Sequence, residues 1–255
     1  TLSGTEDTSF SGLITGSGSL VKNGTAVFTL GGTNTFAAGV TLNSGAIQIA
    51  NNAALGTGTL TFTGGRLSSD SSTDREFNNR LILSGSLTLG DALKSGLLTL
   101  SGDAILAAAT TLTTVSGGTL SGAISGGFDL VKAGAATLTL SGGNSYTGNT
   151  TVDAGTLVLS GGAALANSMA VIVNTNGTLR LASDEEIASL SGSGVVDLHT
   201  SQLTISGSVS TTFSGLITNE NGSIVKNGTS VLTLTHANNF VGGVQLSNEI
   251  GRAHV

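Results

Sequence analysis

The stretch LVKAGAATLTLSGGNSYTGNTTVDAGTLVL, residues 130–159, decides how the rest of the chain is read. It holds two apolar–polar alternations, TLTL from Thr137 and TLVL from Thr156, each preceded by a small-residue turn. Alternation with period two marks a strand that buries one face. The same text stands without a gap at residues 20–49. Leu20, Val21, Lys22, Gly24, Thr29, Leu30, Gly32, Asn34 and Gly45 meet their counterparts at Leu130, Val131, Lys132, Gly134, Thr139, Leu140, Gly142, Asn144 and Gly155. Phe36 faces Tyr146 in this alignment. A third copy begins at Ile224 and keeps Lys226, Gly228, Thr233, Leu234, Asn238 and Phe240, with FSGLIT at Phe213 repeating FSGLIT at Phe10.

A finer period runs inside these copies. The triplet GTL recurs at Gly58, Gly118, Gly155 and Gly177, a spacing near the ~20 residues of one solenoid coil. A single coil of this size cannot bury its inward face, so it must stack on neighbours and pair its backbone with the coils on either side. Phe28, Leu30, Leu138 and Leu140 then point inward and the intervening threonines outward. The expected fold is all-β, a right-handed parallel β-helix (β-solenoid) of about a dozen coils, the hand following the usual sense of parallel crossovers. The structural rival is a β-sandwich, which shares short strands and glycine-rich turns but does not require matching text at one fixed spacing.

Composition supports a long thin core. Of 255 residues, 38% are hydrophobic and 4% aromatic, and the core material is leucine, valine, isoleucine and alanine. Only 9% are charged, against about 25% in an average domain. The absence of proline keeps every backbone N–H available for pairing. A net charge of −6 argues against nucleic acid as a partner. With no cysteine there is neither a disulfide framework nor a thiolate metal site. The longest apolar run, AILAAA from Ala104, is far below the ~20 residues of a membrane helix, so no direct membrane span is expected. The chain opens on Thr1 and reads as part of a longer one.

The repeat text resembles the passenger-associated transport repeat of bacterial autotransporters. That family's pattern is carried here by Leu130, Lys132, Gly134, Thr137, Leu138, Leu140, Asn144, Tyr146, Gly148, Gly155 and Leu157. The copy at Leu20 places Phe36 in the aromatic position. The third departs further, with THANNF from Thr235 where the turn is usually glycine-rich. The resemblance implies a passenger exported through the outer membrane and held at the cell surface by its own C-terminal outer-membrane barrel. It further implies a structural or export stem, supporting adhesion to host or cell-surface ligands. On this reading residues 1–248 are β-helical passenger, with repeat copies near 10–67, 120–181 and 213–248. Residues 249–255 are set apart: from Ile250 they match the translation of a widely used sequencing adapter and break the repeat.

The alternative function is a secreted β-helical enzyme acting on polysaccharide, which needs paired carboxylates or a positioned base in a groove. Asp184, Glu185 and Glu186 are adjacent and Asp153 is isolated, so no pair is visible. Of the three histidines, His199, His236 and His254, the last falls in the adapter-like segment, and His199, two residues from Asp197 with no nucleophile elbow around any serine, reads as a surface histidine on an outer face. Asp70, Asp74 and Glu76, in the most charged part of the chain, lack a calcium-loop spacing; residues 70–80 are expected to form a solvated loop leaving the solenoid. SDEEIASL from Ser183 has capping-box spacing but reads as a polar turn. Threonine rows of the ice-binding kind would need a TxT on every coil, which is not met. Lys22, Lys132 and Lys226 recur with the repeat and are expected to cap turns. The chain is therefore read as non-enzymatic, with no catalytic, cofactor or metal site and no cofactor.

Overall fold

The structure, a computed structural model, describes residues 1–167, 169–219 and 221–247, together with the backbone of Ala253–His254. Residues 249–252 and 255, most of the segment set apart as adapter-derived, lie outside the described residues. Every regular element among the described residues is a β-strand, and no helix there is long and apolar enough to cross a membrane. The chain divides into two compact units, Thr1–Ile124 and Ser125–Val255.

In the first unit, six strands stack in parallel: Thr8–Phe10, Val27–Leu30, Ala46–Ile49, Arg66–Ser69, Ser86–Leu89 and Thr110–Thr114. Each pairs with the strand about one coil later, so the register places Phe28, Ile47, Leu67 and Leu89 in one buried column. A second stack runs through Leu20–Lys22, Val40–Leu42, Leu60–Phe62, Leu81–Leu83 and Ala104–Leu106. Its inward column reads Lys22, Leu42, Phe62, Leu83 and Leu106, all buried.

The second unit is built the same way. Leu138, Leu157, Leu179, Val196 and Ile217 form a fully buried column. Beside it run Lys132, Val152, Val173, Gly192, Phe213 and Leu234. The sandwich alternative is set aside, because the ladder pairings described above are parallel and join neighbouring coils. The period-two alternation is the cause. The leucines of each alternation are buried and the threonines between them half-buried, as in Thr137–Leu140. Burying one such leucine is worth about 2 kcal/mol, and the columns repeat that gain on every coil.

Two expectations are corrected. Residues 70–80 do not leave the solenoid: Arg75–Phe77 is a strand paired with Leu98–Leu100, and Phe77 is buried in the column of Leu100 and Leu120. Its charges are used locally, Arg75 bridging to Asp70 at 2.9 Å and the Asp74 carboxylate accepting the Leu97 N–H at 2.8 Å. SDEEIASL is no turn either. Glu185–Ile187 is a strand paired with Gln202–Ile205, and the side chains of Glu185 and Ile187 are buried. In both cases the apolar alternation was too short to be seen beneath the charges, and the neighbouring coil supplied the strand partner.

Candidate functional site: polar braces within the repeat

The chemistry of the repeat lies inside the coils. Lys22, Lys132 and Lys226 each occupy a column position that neighbouring coils fill with leucine, valine or isoleucine. All three lysines are 2% exposed or less. A buried ammonium needs its three donors satisfied. The Lys132 Nζ donates to the carbonyl oxygens of Ala133, Gly134 and Ala154 at 2.8–2.9 Å. Lys22 donates to Asn23 and Gly24, and Lys226 to Gly228. Gly134, at φ +79°, takes the left-handed backbone that turns its carbonyl toward the ammonium. The lysines thus cap turns as expected, but from within the core.

Burial pushes the Lys132 amine down to about 8. Lys22 and Lys226 are lowered for the same reason, Lys22 with partial relief from Asp7. For Lys132 the folded value lies below the ordinary 10.5, so between about pH 8 and 10.5 the unfolded chain holds more protons. Stability carried by this group is therefore lowest below pH 8 and rises through that window. Urea denaturation from pH 7.5 to 10.5 is expected to show this rise, and Lys132→Met to remove it; a slope unchanged by the substitution would refute the assignment.

The conserved spacing of the repeat's asparagine has a similar use. Asn34 accepts the Ile14 N–H at 2.8 Å through Oδ1 and donates to the Ala54 carbonyl at 2.6 Å through Nδ2, joining three coils. Asn144 donates to Ala164 at 2.6 Å, and Asn238 accepts the Ile217 N–H at 2.8 Å. Phe36 and Tyr146 fill the core beside them, the Tyr146 hydroxyl lying 2.6 Å from Thr150 Oγ1. Burial pushes the Tyr146 phenol well above its usual range; the bond to Thr150 opposes this and the Glu185 charge adds to it.

Carboxylates brace the coils from outside. Asp7, Asp74, Asp103, Asp129 and Asp184 each accept a backbone N–H from the following coil, at Val27, Leu97, Ala123, Asn149 and Gln202. Sequence reasoning missed this series; its signal is an aspartate one coil ahead of a strand. It also missed Glu185, which is 3% exposed and accepts the N–H groups of Ala164 and Leu165, both at 3.1 Å. Burial raises the Glu185 carboxyl, and the hydrogen bonds from Leu165, Ala164 and Glu186 hold it back. Ala164 is gripped from both sides, by Asn144 on its carbonyl and Glu185 on its N–H.

The residues weighed for catalysis are not brought together. Asp197 accepts the backbone N–H of His199 at 3.0 Å and the side-chain amide of Asn219 at 2.7 Å. The His199 imidazole lies against Thr200 at 3.2 Å, with the backbone at φ +51°. Asp153 pairs with Asn174, and Glu186 with Asn167 and Ser206. Among the described residues no group of three metal-ligating side chains converges. The side chain of His254 lies outside the described residues.

Fold and braces together define a class, the parallel β-solenoid whose repeat is held by buried lysine, asparagine and glycine. Comparison with known proteins narrows it. Residues 20–49, 130–159 and 224–248 match the family described as passenger-associated-transport-repeat. The chain is 36% identical over 257 residues to the adhesin BmaC autotransporter of Brucella suis biovar 1 (strain 1330). That alignment takes in 92% of this chain and 7% of the relative. No solved structure gives a significant match. The three matched segments thus carry the passenger-associated transport repeat, and over most of its length the chain is similar to a short portion of an autotransporter adhesin.

Proposed function

We propose that the chain is a non-enzymatic stem of a surface adhesin, carried by its own C-terminal outer-membrane barrel in the full-length protein. The observation that carries this reading is the use made of the repeat's polar groups. Lys22, Lys132 and Lys226, with Asn34, Asn144 and Asn238, are spent on bonds to backbone groups of the solenoid. The relative's description as an adhesin supports the role in attachment. Nothing in the arrangement of carboxylates favours the polysaccharide-degrading alternative, which requires a convergent pair.

Nearest-coil pairing also suits export. The bracing bonds from Asp7 to Val27 and from Asn144 to Ala164 each span 20 residues, so coils can form in succession as chain emerges, without distant partners. The test is to display the chain between a secretion signal and an outer-membrane barrel on a Gram-negative host. Surface exposure to protease and adherence to cells or matrix above a barrel-only control are expected, and Lys132→Met is expected to slow display. Display without adherence would remove the adhesive role while leaving the stem; hydrolase or lyase activity in the purified chain would overturn the non-enzymatic reading.

A further inference from the structure

One coil of the second unit leaves its ladder and returns to it. Ala170–Val173 pairs with Ser189–Gly192 at every residue. The next coil follows only as far as Gly207, whose N–H donates to the Ala188 carbonyl at 2.8 Å, and rejoins where Gly192 pairs with Phe213. Between these points Ser208, Val209 and Ser210 bow outward and are exposed. The following coil holds the bow in place. Ser210 Oγ accepts the Val231 N–H at 3.0 Å, and Ser230 Oγ donates to the Gly207 carbonyl at 2.7 Å.

The bow opens a groove of about 460 Å³ in the side of the unit, within the ~300–1,000 Å³ usual for small-molecule sites. Asn149, Asn167, Ser206 and Ser208 line it, with Val209, 66% exposed, at its margin. Ser189 lines it too, is 7% exposed, and has no hydrogen-bond partner for its hydroxyl among the described residues. A hydroxyl buried this far ordinarily has one. The ladder does not need it, since Ala170 fills the paired place one coil earlier. Two groups of the lining are already oriented. Glu186 accepts from Asn167 Nδ2 at 3.2 Å and from Ser206 Oγ at 2.6 Å, which leaves Asn167 Oδ1 and the Ser206 lone pairs for a ligand.

We propose that this groove binds an uncharged saccharide, one or two pyranose units of a glycan. Among the described residues no lysine or arginine lines it, and the chain carries a net charge of −6, so an anionic ligand finds no opposite charge. Val209 alone offers a large exposed apolar side chain, so an apolar ligand is poorly matched as well. The remaining chemistry is a set of neutral amides and hydroxyls. Vicinal sugar hydroxyls fit such a set because each both donates and accepts. Ser189 Oγ, Asn167 Oδ1 and the hydroxyls of Ser206 and Ser208 meet them, and Val209 packs on the C–H face of a ring. A saccharide supplies the ligand class that the adhesive reading leaves open, and rests on that reading only for its use at the cell surface.

The test is to titrate the whole purified chain with lactose, cellobiose, maltose and diacetylchitobiose while following its amide NMR shifts. With at least one of these sugars, saturable shifts are expected at Ser189 and at Ser206–Val209. Ser189→Ala is expected to weaken that binding about fivefold, the worth of one hydrogen bond, with the urea midpoint unchanged. Val209→Asp makes the same comparison from an exposed position, should Ser189→Ala lower stability. Shifts absent with all four sugars, shifts centred elsewhere, or an affinity that neither substitution changes would overturn the proposal. Adherence of the displayed chain is read separately. Adherence without shifts would remove the groove and keep the adhesive reading; shifts without adherence would keep the groove and remove that reading.

Discussion

Lys132→Met is expected to lower the unfolding free energy by about 3 kcal/mol at neutral pH. Methionine fits the apolar column of Val152 and Val173 on which the lysine stem lies. What is lost is the ammonium that serves the carbonyls of Ala133, Gly134 and Ala154. Each buried acceptor left without its donor costs about 1–3 kcal/mol. The depressed amine shows that burying this charge is itself costly, yet removing one side of a buried polar arrangement is worse than having built it. An ordinary surface lysine would give a change within about 0.5 kcal/mol. Urea denaturation at pH 7 distinguishes the two, and a surface-sized effect would show that the ammonium is not the brace described. Because stability in a solenoid is a sum of coil and interface terms, the loss should be greatest in exchange rates of the coils carrying residues 130–160.

Gly155→Val is expected to cost about 4 kcal/mol or prevent the second repeat from folding. Gly155 sits at φ +67°, a left-handed conformation that a β-branched residue tolerates badly. A Cβ there would also press on the Gly134 carbonyl oxygen and on the carbonyl of Ala135, which belong to the turn capped by Lys132. The backbone cannot yield without breaking the pairing of Gly155 with Gly177. Gly143 is the control, with no heavy atom within 4 Å of the Cβ it lacks. Gly143→Ala should change stability by less than about 0.5 kcal/mol. Equal effects from the two substitutions would mean that the close coil approach at Gly155 is not what sets its identity.

Phe36 and Tyr146 show how far the repeat could be read in advance. Their shared place in an ungapped alignment marked one recurring aromatic position, and the structure buries both. The Lys–Gly turns were legible for the same reason, since recurrence at one spacing implies one structural role. Glu185 shows the limit. Its bonds reach Ala164 and Leu165, about 20 residues earlier. A lone acidic triplet carries no mark of the backbone it will meet. The charged run at residues 70–80 misled in the same way, because Phe77 becomes inward only when Leu100 lies next to it in the ladder.

The sequence by itself determined the coil: period-two alternation dictates strands with one apolar face, and recurrence near 20 residues dictates that they stack. Tertiary structure alone decided that the three repeat lysines enter the apolar columns, that Glu185 is a core brace, and that Phe77 joins the column of Leu100. The physical reason is common to all three. Whether a side chain is inside depends on the coil that lies against it, and that contact is made between residues whose own local text is silent about it.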